Sequence, residues 1–260
     1  MNGLSTVNIE LSSSCNKACW MCGRRKIEKD YPELVNWGDM DFKLVEKIAK
    51  QLPDGIVVQF HNNGEPLLYP RFGEAVKLFK GIKCINTNGK LIVEKADEII
   101  DNLDTLTISI FERDIDGDEQ YKLIKEFLKI KGDRKPTMIY RCLGNVETSK
   151  YKVLNGIIAK RVLHHPLGSF KYEKDPTKPE TGICGDMLNH MAIDRFGKVS
   201  ICVRFDPERK GVIGDANTTL LKDIWNSPKR KEWLKYHIRG ERKKVPLCEK
   251  CDFYGVPTAR

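Results

Sequence analysis

Cys15, Cys19 and Cys22 form a C-x3-C-x2-C cluster close behind the first strand-like run of the chain. Three thiolates so close in one loop can cap one face of a 4Fe-4S cube and leave the fourth iron for an outside ligand. Zinc is the competing occupant, but it wants a fourth Cys or His nearby, and none follows before His61. Four more cysteines, Cys184, Cys202, Cys248 and Cys251, lie in the last third. Four thiolates would complete either an iron-sulfur cluster or a tetrahedral zinc site. Cys84 and Cys142 fall inside strand-like runs and read as small buried residues. The start of the chain carries neither a basic nor an apolar signal segment, so clustered cysteines favour metal over disulfides and the chain reads as cytosolic.

Short β-rich runs at 7–11, 56–60, 83–86, 105–110, 137–142 and 160–164 alternate with amphipathic stretches at 41–52, 72–80, 91–100 and 119–130. Strands alternating with helices at this spacing predict an α/β fold with a parallel sheet. Six units are too few for an eight-stranded barrel, so the expectation is a partial (β/α)6 barrel over 1–165. Residues 166–260 form a second unit: a linker at 171–181, a hairpin at 190–204 turning on Arg195-Phe196-Gly197, and a helix at 220–237 interrupted near Ser227-Pro228.

Composition narrows the class. Hydrophobic residues make up 40% and charged residues 31% of 260, which excludes a disordered chain. No apolar run approaches the roughly 18 residues of a membrane span. The net charge is +9, and residues 171–260 carry 19 basic against 13 acidic side chains. That excess fits an acidic partner or a solvated surface. The basic runs lack interleaved aromatics, which ranks nucleic acid low.

Each of the first three strands is followed by a motif: the cysteine cluster, then Asn63-Gly64-Glu65-Pro66, then Asn86-Thr87-Asn88-Gly89. In that order, at the strand ends where α/β sheets bind ligands, they resemble the radical SAM superfamily. The resemblance implies that Cys15, Cys19 and Cys22 hold a 4Fe-4S cluster whose open iron chelates S-adenosylmethionine (SAM). Gly64 and Glu65 would meet the SAM amine, Thr87, Ser109 and Arg141 the ribose and carboxylate, and Met21 the adenine; members usually carry an aromatic where Met21 stands.

The later cysteines, spaced around Gly197 and Leu221-Lys222-Asp223-Ile224-Trp225-Asn226, resemble the short twitch form of the SPASM extension. It implies a second 4Fe-4S cluster on Cys184, Cys202, Cys248 and Cys251. In such enzymes reductive cleavage of SAM yields a 5′-deoxyadenosyl radical that abstracts hydrogen from the substrate. Cys15-Asn16-Lys17-Ala18-Cys19-Trp20-Met21-Cys22 and Glu65-Pro66-Leu67-Leu68 are similar to short family members that oxidise an aminocyclitol alcohol.

Strand alternation turns Asn8, Glu10, Val57, Gln59, His61, Thr107 and Ser109 inward, a polar lumen suited to a sugar, aminocyclitol or nucleotide sugar. His164, His165, Arg141 and Glu112 are candidate bases or substrate anchors. Modification of a peptide or RNA is the alternative, although the 14 residues before Cys15 leave no room for a leader-binding domain. A flavodoxin or ferredoxin is the expected reductant, docking on Lys229, Arg230, Lys231, Arg242, Lys243 and Lys244.

Overall fold

The computed structural model describes residues 1–161, 163, 170–171, 183–203 and 205–251. Six parallel strands follow the sequence alternation: β1 (Thr6–Ile9), β2 (Val57–Gln59), β3 (Ile82–Thr87), β4 (Thr105–Phe111), β5 (Thr137–Leu143) and β6 (Ile157–Arg161). Helix α1 (Gly23–Asp30) follows the cysteine cluster, and α2 (Phe42–Ala49) leads into β2. Next come α3 (Phe72–Lys77), α4 (Ala96–Ile99), α5 (Gly117–Lys131) and α6 (Ser149–Lys152), one before each of the remaining parallel strands. Asp41 caps α2 by accepting from the amides of Lys43 and Leu44, which fixes where that helix starts.

The expected two-faced strands are present. Val7, Ile9, Val58, Phe60, Leu106, Ile108 and Ile110 are buried in one apolar core with Val45, Ile48, Phe72, Val76, Ile124 and Phe127 of the helices. Each such side chain contributes about 1.5–3 kcal/mol. The opposite faces carry the polar groups: Asn8, Gln59, Asn86, Ser109 and Arg141.

Beyond 183 come α7 (Gly185–Asn189), β7 (His190–Ile193), β8 (Lys198–Ser200), β9 (Val212–Asp215), α8 (Leu221–Trp225) and α9 (Pro228–Ile238). The hairpin is β7 against β8, and the helix breaks where expected, because Ser227 accepts from the amide of Arg230 with Pro228 in the first turn. Strand β7 also lies parallel to β1, Thr6 beside His190 through to Ile9 beside Ile193. The sheet therefore runs unbroken across the expected boundary in the order β6-β5-β4-β3-β2-β1-β7-β8-β9. An open barrel leaves the edge of its first strand with unpaired N–H and C=O groups, and β7 pairs them.

Local expectations needed correction. The helix expected over 91–100 is only Ala96–Ile99, and the sixth strand begins at Ile157 rather than at 160. It is an edge strand with few buried side chains, so its hydrophobic signal is weak. Strand β9 was not anticipated, since all four of its residues are only half-buried. His164, His165 and the linker at 172–181 lie outside the described residues.

Candidate active site

The cysteine loop follows β1 and is tied to the ends of three neighbouring strands, β2, β3 and β4. Beneath it, a Cβ on Gly64 would stand 2.1 Å from the carbonyl oxygen of Ser12, so only glycine lets the turn after β2 lie against Ser12–Ser13. The Glu65 amide then donates to the Ser14 carbonyl at 2.7 Å. From the turn after β3, the Asn88 side-chain amide donates to Asn16 Oδ1 at 2.8 Å and approaches Cys15 Sγ at 3.8 Å. From the loop after β4, Asp114 accepts from Lys17 Nζ at 2.7 Å, both side chains 4% exposed, and the Glu112 carbonyl accepts from Trp20 Nε1 at 3.2 Å. Cys22 is the N-cap residue of α1. Burial and the neighbouring Cys22 push the Cys19 thiol up to about 12, with Cys15 adding to the effect and Lys17 opposing it. Burial raises the Cys19 and Cys22 thiols alike, and three thiols in one loop form a donor set that a cationic iron cluster would relieve.

Glu65 is buried, and its carboxylate accepts from the Leu67 amide at 3.1 Å, the Thr87 hydroxyl at 2.8 Å and the Asn88 amide at 2.8 Å. Burial pushes this carboxyl up to about 7 against those three bonds. Glu65 thus locks the second motif to the third. Thr87, expected as a direct ligand contact, is 2% exposed with its hydroxyl committed to Glu65. Ser109 sits half-buried on the inner face of β4, and its carbonyl accepts from Gln120 at 3.1 Å. Met21 is half-buried between Trp20 and Cys22.

Inside the sheet a hydrogen-bonded chain crosses four strands, largely missed from sequence. Arg141 donates to Asn86 Oδ1 at 3.1 Å, and Asn86 Nδ2 meets His61 Nε2 at 2.7 Å. Asn8 Nδ2 donates to the His61 carbonyl at 2.9 Å, and Asn8 Oδ1 accepts from His190 Nε2. His190 Nδ1 lies 3.3 Å from Asp186, whose other oxygen is 3.5 Å from Cys202 Sγ. Alternation had already turned Asn8 and His61 inward; what it lacked was β7, which brings His190 beside Asn8 from 182 residues away. Glu10 joins the same elements, accepting from the Asn63 amide at 3.1 Å and the Arg195 amide at 3.2 Å. Glu112 stands elsewhere, at the end of β4, accepting from the Asn145 amide at 2.6 Å.

The second thiol set gathers on a small apolar core. Cys184 and Cys202 pack against Met187, Ile201, Trp233, Val245, Leu247 and Cys248. Burial, then Cys251 and Cys184, push Cys248 up to about 12. Cys251 lies beside Cys248, its amide donating to the Cys248 carbonyl at 3.3 Å, and this set of four thiols has the donor chemistry of an iron-sulfur cluster. Among the described residues no three His, Cys, Asp or Glu side chains already stand close enough to hold a single metal ion. Two of the expected docking residues prove structural: Arg230 stacks 3.2 Å from the Trp225 ring and donates to Met187 and Leu188 carbonyls, and Arg242 is also buried. Lys231, Lys235, Lys243 and Lys244 are exposed.

The family model described as the radical SAM superfamily matches residues 9–142, more than half of the chain. The chain belongs to the radical SAM superfamily. The SPASM iron-sulfur cluster-binding domain matches residues 184–252. This radical SAM enzyme therefore works with SAM and a 4Fe-4S cluster, and its extension binds further iron-sulfur. It is 24% identical to the S-adenosyl-L-methionine-dependent 2-deoxy-scyllo-inosamine dehydrogenase of Niallia circulans, over 98% of this chain and 95% of that protein. Its fold matches BtrN crystallised with AdoMet and 2-DOIA (TM-score 0.69, 20% identity, 99% of this chain and 96% of that one). It also matches Streptococcus suis SuiB bound to S-adenosylmethionine (TM-score 0.66, 16% identity, 97% of this chain and 73% of that one). Among the described residues no helix is long and apolar enough to cross a membrane.

Proposed function

We propose that this radical SAM enzyme is an oxidoreductase that converts an alcohol carbon of a small hydroxyl-rich ring, a sugar, aminocyclitol or nucleotide sugar, to a carbonyl. Cys15, Cys19 and Cys22 hold the first cluster, and Cys184, Cys202, Cys248 and Cys251 fully ligate the second. Bound there, SAM and the clusters supply hydrogen-atom abstraction from an unactivated carbon and an exit for the remaining electron.

The chain's own side chains supply position and polarity. Gly64 and Glu65 form the amine edge of the SAM site, with Thr87 acting through Glu65. Ser109 and Arg141 face the ribose and carboxylate, and Met21 lies toward the adenine. Trp20, edge-on to Phe170 at 5.7 Å, shields the loop from water. Glu112 and His165 are the candidates for taking up the alcohol proton, and Arg141, a cation with only donors, is the candidate substrate anchor.

The observation that carries this reading is the polar lumen. Asn8, His61, Asn86 and Arg141 form a fixed array of amide, imidazole and guanidinium groups, which suits hydroxyls and disfavours a lipid. The end-to-end likeness to the Niallia circulans dehydrogenase supports the same class. A flavodoxin or ferredoxin is the proposed reductant, meeting the exposed lysines of the extension.

Peptide modification is the second reading, favoured by the fold likeness to SuiB, which has also been crystallised with the precursor peptide SuiA (TM-score 0.60). Anaerobic incubation with SAM and ring-deuterated polyols and aminocyclitols separates the two. Deuterium recovered in 5′-deoxyadenosine supports the proposal. Transfer only from deuterated peptides overturns it.

A further inference from the structure

His61 is the one ring in the lumen chain whose second nitrogen is left over. Its Nδ1 is buried and has no hydrogen-bond partner among the described residues. Leaving a buried polar nitrogen unmatched costs about 1–3 kcal/mol, so an orphan in a ligand-binding lumen points to a ligand.

The neighbours fix what that nitrogen carries. Asn86 accepts from Arg141 through Oδ1, so the group it turns to His61 Nε2 is its NH2. Asn8 accepts from His190 through Oδ1 and donates to the His61 carbonyl through Nδ2, which also stands 3.4 Å from Nε2. Both amides thus present donors to Nε2, and flipping Asn86 would face its NH2 against a guanidinium. Nε2 must therefore accept, and the proton of the neutral ring resides on Nδ1. The ring is neutral, because burial and the nearby Arg141 and His190 push it down to about 3.

We propose that His61 is a substrate-binding residue whose Nδ1–H donates to an oxygen of the substrate, beside the Arg141 guanidinium. An ammonium has only donors and finds no acceptor at this N–H, so it is refused. A hydroxyl, carbonyl or carboxylate oxygen is accepted. This deepens the proposed function and rests on its small-molecule reading: an aminocyclitol would enter with a hydroxylated edge toward His61 and its amine elsewhere.

The test uses the anaerobically reconstituted holoenzyme with SAM. Calorimetry measures binding of 2-deoxy-scyllo-inosamine and its monodeoxy analogues to the parent, His61→Phe and His61→Gln. One hydroxyl deletion should weaken binding to the parent about tenfold and leave binding to His61→Phe unchanged, with partial recovery in His61→Gln, which keeps an N–H donor. Should the phenylalanine variant not fold, the glutamine variant carries the comparison. Independently, 15N spectra of histidine-labelled holoenzyme should give His61 a protonated Nδ1 and an unprotonated Nε2. The opposite tautomer, or hydroxyl deletions that cost the same in parent and variants, overturns the inference. A parent that binds no aminocyclitol counts against the aminocyclitol reading alone, and the tautomer then decides the role of His61.

Discussion

The two thiol sites are built by opposite means. Cys15, Cys19 and Cys22 come from one loop, held by polar ties to strand ends: Gly64 and Glu65 on Ser12–Ser14, Asn88 on Asn16, Asp114 on Lys17 and the Glu112 carbonyl on Trp20. Cys184, Cys202 and the Cys248–Cys251 pair come from three separated segments, and Cys184, Cys202 and Cys248 pack with Met187, Ile201, Trp233, Val245 and Leu247. A local set of three, braced from outside, keeps its shape without its metal and can leave one position open. A dispersed set of four draws on three segments that share a small apolar core, so a metal bound there would add a further link between them and contribute to folding.

Cys19→Ala is the sharpest way to break this contrast. SAM cleavage with dithionite should fall to background, while the Tm moves by no more than about 2 °C, because the polar braces remain. Cys248→Ala should do the reverse: 5′-deoxyadenosine formation stays within about twofold of the parent, substrate turnover is lost, and limited proteolysis opens the extension first. Equal loss of cleavage in both folded variants would remove the division of roles.

A smaller effect probes the braces. Lys17→Met leaves Asp114 charged and buried, costing about 3–5 kcal/mol in urea unfolding, and Lys17→Met with Asp114→Leu should recover most of it. No loss in the single variant would mean that the loop is not held by this pair.

Acid compares the lumen with the extension. Burial pushes His61 down to about 3 and His237, which accepts from the Cys184 amide, down to about 4. Below about pH 6.5 the unfolded chain takes up protons that these folded rings refuse. Each ring therefore removes up to about 1.4 kcal/mol of stability per pH unit as the pH falls toward its folded value. His61→Gln and His237→Gln should each flatten the slope of stability between pH 5 and 7, read by urea titration. An unchanged slope would show that the ring takes up its proton in the folded state.

The smallest effect expected is on delivery of electrons. Replacing Lys231, Lys235, Lys243 and Lys244 with glutamate should slow flavodoxin-driven turnover several-fold at low salt and leave dithionite-driven turnover unchanged. Equal flavodoxin rates would make the lysines a solvated face only.

What could be read in advance follows the range of the interactions. The period of two along the strands placed Val58 and Phe60 against the helices and His61 inward, since each residue's face depends only on its neighbours. The docking of β7 beside β1 was not legible, because an open edge accepts any matching strand and nothing local in His190–Ile193 names its partner. The chain from Asn8 to His190 and Asp186 stayed hidden with it. Charge misled for a related reason: Arg230 and Arg242 lie within basic runs, and only the Trp225 ring and the buried carbonyls show that Arg230 belongs to the interior. Thr87 was found in its motif, but its bond to Glu65 needed the approach of β2 and β3.

The division between an open and a closed thiol site is tested most directly by electron paramagnetic resonance of the reduced holoenzyme, with iron counted on the same sample. About eight irons and two signals are expected. Adding SAM should shift only the signal that Cys19→Ala abolishes and leave untouched the one that Cys248→Ala removes. A shift of both signals on adding SAM, or a single iron-sulfur signal accompanied by stoichiometric zinc, would contradict the account.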